Sequence, residues 1–157
     1  MPLASATPAP AATCYLLANA GIAVQTAPVF LTFFRIDCPW CVSELPRLAE
    51  MYNRRSQLKF HVVGVVGGTA TEAENRAFAE EKGWGFPIVA DPDLKWHHLF
   101  EVERVPTIVL IDADGNIERS YEGASGQLVG ILDQTIYSAV HRTEPPSFNM
   151  VGNGCAP

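Results

Sequence analysis

The sequence predicts one α/β domain, a mixed central sheet flanked by helices, and three observations predict it. Apolar runs with the length of buried strands alternate with stretches of helical periodicity, a two-residue Asp114-Gly115 turn joins the last two strands as a hairpin, and the composition is that of a chain with a real core. The 157 residues correspond to one domain at roughly 150 residues per domain. With 48% hydrophobic and 18% charged residues, a disordered, collagen-like or coiled-coil chain is excluded. The net charge of −6 leaves no basic stripe to neutralise phosphates, which argues against nucleic acid or an anionic membrane and for a protein or small-molecule partner. Four cysteines are too few for a disulfide scaffold, so the core must hold the fold.

Residues 1–26 read as an N-terminal linker and leading segment, with MPLASATPAPAA an Ala/Pro-rich stretch that stays semi-extended and does not pack. No charged residue occurs from Met1 to Phe34, yet Pro2, Pro8, Pro10 and Pro28 interrupt the run. The apolar stretch Tyr15 to Val24 is about half a membrane span, and no basic region precedes it, so no membrane insertion is expected. Such a leader suits an exported domain; the alternative is a flexible terminus of a cytoplasmic protein. The domain proper is assigned to 27–141 and a C-terminal tail to 142–157.

Ala27 to Arg35 is a nearly continuous apolar run suited to a strand buried on both faces. Cys41, Leu45, Leu48 and Tyr52 then mark the inner face of a helix from Pro39 to Arg55, which Pro46 should kink. Leu58 to Val66 is the next strand. Thr71 and Glu74 form a capping box, and Lys82 with Gly83 closes that helix. Phe86 to Ala90 is a short strand, Asp91-Pro92-Asp93 turns into a helix carrying Leu94, His97, His98 and Leu99, and Pro106 to Asp112 pairs with Asn116 to Tyr121 across the hairpin. Ser125 caps a last helix with Leu128, Leu132, Thr135, Ile136 and Ala139 on its buried stripe. The order βαβαβαββα demands right-handed crossovers and an antiparallel hairpin at one sheet edge.

The chemistry is expected where the first strand meets its helix, at Cys38-Pro39-Trp40-Cys41. Two thiols at that spacing on a helix start can close a small disulfide. Pro39 fits the first helical position, which needs no donor, and Cys38 becomes the N-cap. Free backbone N–H groups of Trp40 or Cys41 and the helix dipole favour a Cys38 thiolate, while the adjacent Asp37 opposes it. Cys38 is therefore the candidate nucleophile and Cys41 the buried resolving thiol. Glu44, three residues after Cys41 on the same side of the helix, is a candidate acceptor for the Cys41 proton; the alternative is an ordinary surface carboxylate. A zinc half-site would need two further ligands, and no second C-x-x-C or H-x-x-x-H exists, so no metal is assigned. His97 and His98 are adjacent and face different ways on a helix; His61 and His141 are isolated. Cys14 and Cys155, near opposite ends, are a candidate structural disulfide worth at most roughly 5 kcal/mol by loop entropy, or else two unpaired thiols.

These motifs together resemble the TlpA/ResA-like thiol-disulfide oxidoreductases of the thioredoxin fold. The resemblance rests on CPWC with the C-x-x-C-x-x-E extension to Glu44 and Pro46, on FPIVADPD from Phe86 to Asp93, and on VPTIVLIDADGNI from Val105 to Ile117. It spans about Pro28 to Tyr137, with an extra helix and strand between the C-x-x-C and the proline loop. It implies a cis Val105–Pro106 bond beside the active site, presenting the Val105 backbone to an extended partner chain, with Pro39 and Trp40 on the contact rim. Asp37 stands where many relatives carry Trp. Thr32 occupies the place of the buried acid of thioredoxins, leaving Glu44 for proton transfer.

The expected function is disulfide exchange with protein partners, with a separate redox partner and no prosthetic group, in the periplasm or another extracytoplasmic compartment, or alternatively the cytoplasm. The rival readings are a peroxiredoxin-like thiol peroxidase, whose peroxidatic loop would carry Pro and Thr or Ser where Leu31 and Arg35 stand, and a copper-handling protein using both thiolates and a His.

Overall fold

The computed structural model describes residues 7–54, 59–124, 134–138, 140–141 and 154–157 of the 157. Strand β1 (Thr7–Pro8) and helix α1 (Thr13–Asn19) precede the expected series. Then follow β2 (Val29–Phe34), α2 (Pro39–Asn53), β3 (His61–Val66), α3 (Glu72–Lys82), β4 (Ile88–Ala90), α4 (Lys95–Leu99), β5 (Thr107–Ile111) and β6 (Asn116–Glu122). Residues 134–138 are helical, as expected of the last helix, and include buried Thr135 and Ile136. Ser125, Leu128, Leu132 and Ala139 lie outside the described residues.

The six strands form one open sheet in the order β1-β6-β5-β2-β3-β4. β2 lies at its centre, parallel to β3 and antiparallel to β5, and all six of its residues are buried. That explains why its sequence is an apolar run instead of an alternating one. β3 and β4 are parallel, β5 and β6 form the antiparallel hairpin, and a register shift falls between Leu110 and Ile111. This is the thioredoxin-like arrangement the motifs imply. Gly64 on β3 is held small by its neighbours: a Cβ there would stand 2.8 Å from a Phe34 ring carbon and 3.0 Å from one of Phe86. The same rings join Trp84, which lies edge-on to Phe34 and Phe78 and stacks with Phe86.

From Thr7 onward the leading segment packs, contrary to the linker expectation. Thr7 and Pro8 pair with Ile117 and Asn116 of β6, and Leu16, Leu17 and Ile22 enter the core. Proline lacks a ladder donor but is tolerated on an edge strand, which is where β1 lies. α1 escaped notice because its N-cap, Ala12, makes no side-chain cap bond and its terminal turns carry neither acidic nor basic residues. No helix among the described residues is long and apolar enough to cross a membrane.

Candidate active site

The chain leaves the sheet at Phe34 and enters α2 through Arg35-Ile36-Asp37. Cys38 is the N-cap, extended at φ −94° and ψ 117°, with Pro39 opening the helix. As N-cap its carbonyl accepts the Val42 N–H at 3.1 Å. The sulfur does not cap the helix as expected: no side-chain cap bond is present, and the sulfur is bonded to Cys155. The first-turn amides of α2 therefore carry no side-chain acceptor from the N-cap.

The Cys38–Cys155 disulfide corrects the expected Cys14–Cys155 pair. Cys14 sits exposed on α1, near the Ala11 carbonyl, and is a free thiol. Cys155 is instead brought to Cys38 by backbone pairing. The Val105 N–H donates to the Cys155 carbonyl at 2.9 Å and the Cys155 N–H to the Val105 carbonyl at 2.8 Å, an isolated antiparallel bridge. The Val105–Pro106 peptide bond is cis. Cys38 Sγ lies 3.9 Å from the Val105 carbonyl oxygen. Cα atoms of Cys38 and Cys155 are 6.2 Å apart across 117 residues of sequence, within the usual span of a disulfide.

Behind Cys38, one turn into α2, Cys41 is a free thiol with 0% exposure. Burial pushes it up to about 11, against weaker lowering influences from the backbone and charge of Arg35. Glu44 is 3% exposed, not the surface carboxylate that was the alternative, and its Oε1 has no hydrogen-bond partner among the described residues. Burial raises its carboxyl to about 7, with Arg47 opposing. Pro46 lies within α2, which continues to Asn53.

The Asp37 charge is balanced locally. Arg35 Nε donates to Asp37 Oδ1 at 2.9 Å, and its Nη1 donates to the Ala156 carbonyl at 2.7 Å, so one guanidinium ties the active-site turn to the tail. Val105 and Pro106 are buried beside Cys38, while Trp40 is 43% exposed on the rim next to exposed Pro39. The structure thus gathers Cys38, Val105, Pro106 and Cys155 into one cradle, and leaves Cys14 elsewhere.

Sequence reasoning missed Arg35, Gly154 and a buried Asp91–His97 pair. Asp91 accepts the amide N–H groups of Trp96 and His97 at 3.2 and 3.0 Å, supplying the cap that Leu94 cannot, and its Oδ2 lies 2.7 Å from His97 Nδ1. Burial depresses the His97 pKa against the opposing pull of Asp91. The aspartate at the Asp-Pro-Asp turn was the available signal: Asx side chains at turns bond nearby backbone. Among the described residues no group of three or more His, Cys, Asp or Glu side chains is placed to hold a metal ion.

Comparison with known proteins places this geometry. The thiol-disulfide oxidoreductase ResA of Halalkalibacterium halodurans is 28% identical over 117 residues, covering 74% of this chain and 62% of that protein. ResA of Bacillus subtilis is 30% identical over 95 residues, covering 60% of this chain and 52% of that protein. The chain thus spans between about half and two thirds of the length of these curated relatives. A thiol:disulfide interchange protein of the thioredoxin family from Chlorobium tepidum TLS superposes with a TM-score of 0.69 at 19% identity, over 88% of this chain and 99% of that one, a likeness of fold. Residues 19–120, which hold Cys38, Cys41, Glu44, Val105 and Pro106, match the AhpC/TSA family model, and on that match the chain belongs to the AhpC/TSA family.

Proposed function

We propose that this protein is a thiol-disulfide oxidoreductase that exchanges disulfides with protein partners, with Cys38 as nucleophile and Cys41 as resolving thiol. The observation that carries the reading is the sulfur of Cys38: it stands at a helix start without a side-chain cap, joined to a cysteine on an extended segment paired with Val105, while a free thiol waits one turn behind. That is the arrangement of a mixed disulfide about to be resolved. The ResA relatives, thiol-disulfide oxidoreductases by name, support it.

In the reducing direction, Cys38 thiolate, favoured by the first-turn amides and the helix dipole, attacks a partner disulfide. The partner lies extended along Val105, between Trp40 and Pro106. Cys41 then attacks Cys38 Sγ, the partner leaves as a thiolate, and a Cys38–Cys41 disulfide remains for another dithiol to reduce. Cys41 is a weak acid at about 11 and Glu44 a buried base at about 7. The two values stand about 4 pH units apart, so moving the proton costs about 5 kcal/mol and coincides with bond formation instead of preceding it. Glu44 holds that proton until the leaving sulfur takes it. Oxidation of partners runs the same steps backward. An oxidising, extracytoplasmic compartment suits an active site that holds a disulfide.

Insulin reduction by the full chain with a small dithiol tests this. Catalysed precipitation of the insulin B chain that disappears in the Cys38→Ser and Cys41→Ser variants is the expected result. No acceleration of insulin reduction, together with robust peroxide consumption or copper retention by the reduced protein, would overturn it.

A further inference from the structure

We infer that Cys155 is a third redox-active cysteine, and that the segment Gly154–Pro157 is an internal substrate seated in the cradle that protein partners use. The inference rests on the exchange chemistry proposed above and says what occupies that site before a partner arrives.

Three separate contacts seat the tail. The Cys155 backbone exchanges both hydrogen bonds with Val105, the Arg35 guanidinium holds the Ala156 carbonyl, and the sulfur is bonded to Cys38. Gly154 makes the close approach possible. A Cβ there would collide with the Arg104 side chain and the Val105 carbonyl oxygen, so only a residue without a side chain lets the strand lie this near. The covered nucleophile has 0% exposure, whereas Cys155 is partly exposed. Cys155 also lies outside residues 19–120, the stretch matched by the family model.

The state seen contains one disulfide and one free thiol within the site, which makes an internal exchange possible without an outside oxidant or reductant. The Cys41 thiolate attacks Cys38 Sγ, the Cys38–Sγ to Cys155–Sγ bond breaks, and the Cys38–Cys41 bond forms. Cys155 leaves with the electron pair and takes up the proton that Cys41 gave to Glu44. One disulfide exists before and after, and no electrons are gained or lost. The oxidised protein therefore has two isomers: one with the tail seated and Cys38 covered, the other with the tail released and the cradle open to a partner. Because Cys155 is tethered, its effective concentration at Cys38 opposes any partner cysteine that competes for the same place.

Peptide mapping without reduction reads this directly. Trypsin places Cys38 and Cys41 in peptide 36–47 and Cys155 in peptide 143–157. After acid quenching and alkylation of the oxidised full chain, the expected product is the two peptides linked, with one alkylated cysteine in 36–47. Gly154→Val keeps all cysteines but crowds the cradle, and is expected to shift the bond into peptide 36–47. In a Cys41→Ser background, reduced Cys38 attacks a cysteine peptide carrying an activated disulfide and expels its leaving group; adding Cys155→Ser should leave that peptide attached to Cys38 at least about tenfold longer, since no tethered thiol remains to displace it. Circular dichroism of both variants checks that the fold persists, and either variant suffices if the other fails to fold. An internal disulfide in wild-type 36–47, or a peptide retained on Cys38 equally long with and without Cys155, would overturn the inference. The two readings fail separately. Linked peptides from a chain that never reduces insulin uphold the docked tail and defeat the proposed function; insulin reduction by a chain without linked peptides does the reverse.

Discussion

Helices α2 and α3 begin in opposite ways. Thr71 at the start of α3 accepts the Glu74 N–H at 3.1 Å through its hydroxyl, and Glu74 returns the bond to the Thr71 N–H at 3.1 Å. Its carboxyl is lowered chiefly by that backbone bond, and Gly83 at φ 72° closes the other end. Two amides at this N-terminus thus have side-chain acceptors. At the start of α2, the N-cap position holds a cysteine whose sulfur makes no cap bond, and the residue at N1 is a proline that has no N–H to satisfy. Of the four orphan amides that every helix start poses, two gain side-chain acceptors in α3 and none gains one from the N-cap side chain in α2. The lesson is that a helix start deprived of a conventional cap, at the end of the central strand, is where the proposed function puts its chemistry.

Substitutions sharpen the contrast. The largest expected effect is at the open end: Cys38→Ala should lower insulin reduction by about three orders of magnitude or more, since the nucleophile itself is gone, measured by initial rates under excess dithiol. A single-turnover assay that retained even a tenth of the wild-type rate would move the nucleophile elsewhere.

Glu44→Gln comes next. A buried carboxyl raised to about 7 from 4.5 stays protonated in the folded protein while the unfolded chain has already released its proton. Stability is therefore lost as pH rises between these two values and the penalty is fully present above about 7. Gln carries no such penalty, so the variant should be more stable than wild type by about 3 kcal/mol at pH 9, with the difference vanishing toward pH 4. Urea melts at the two pH values measure it. Release of a partner trapped on Cys38 should in contrast become slower in the variant and lose its rise through pH 7. A uniform slowing at all pH values would indicate a packing defect rather than lost proton transfer.

The smallest effect belongs to the closed end. Thr71→Ala should cost about 1 kcal/mol of stability in a denaturant melt and leave insulin reduction unchanged. A loss of turnover there would erase the distinction between the two helix starts.

Much of this was readable beforehand where local chemistry decides structure. The Val29–Phe34 strand, the Thr71 cap, the Pro39 opening and the position of Cys38 all follow from residues within a few positions of one another. The partner of Cys38 did not. Cys155 is 117 residues away, and what brings it to Cys38 in place of Cys41, the partner the C-x-x-C spacing offered, is a backbone bridge to Val105 together with the bare Cα of Gly154, neither of which leaves a periodic trace. The buried Asp91–His97 pair escaped for a related reason. On a five-residue helix, periodicity cannot say which of two adjacent histidines turns inward, and the deciding contact is made by an aspartate from the preceding turn. α1 went unseen because its apolar residues lie in a stretch of prolines and small residues without charge contrast.

The bond from Cys38 to Cys155 also fixes how the molecule carries mechanical load. Tension applied to the carboxyl end passes from Cys155 straight into the turn that begins α2, bypassing the intervening sequence. The covalent path through the residues between them is bypassed while that shortcut holds. Exchange at the site would cut it, and the same force would then travel through the sheet, so an anchored copy of this protein would change its stretch length with which cysteine Cys38 holds.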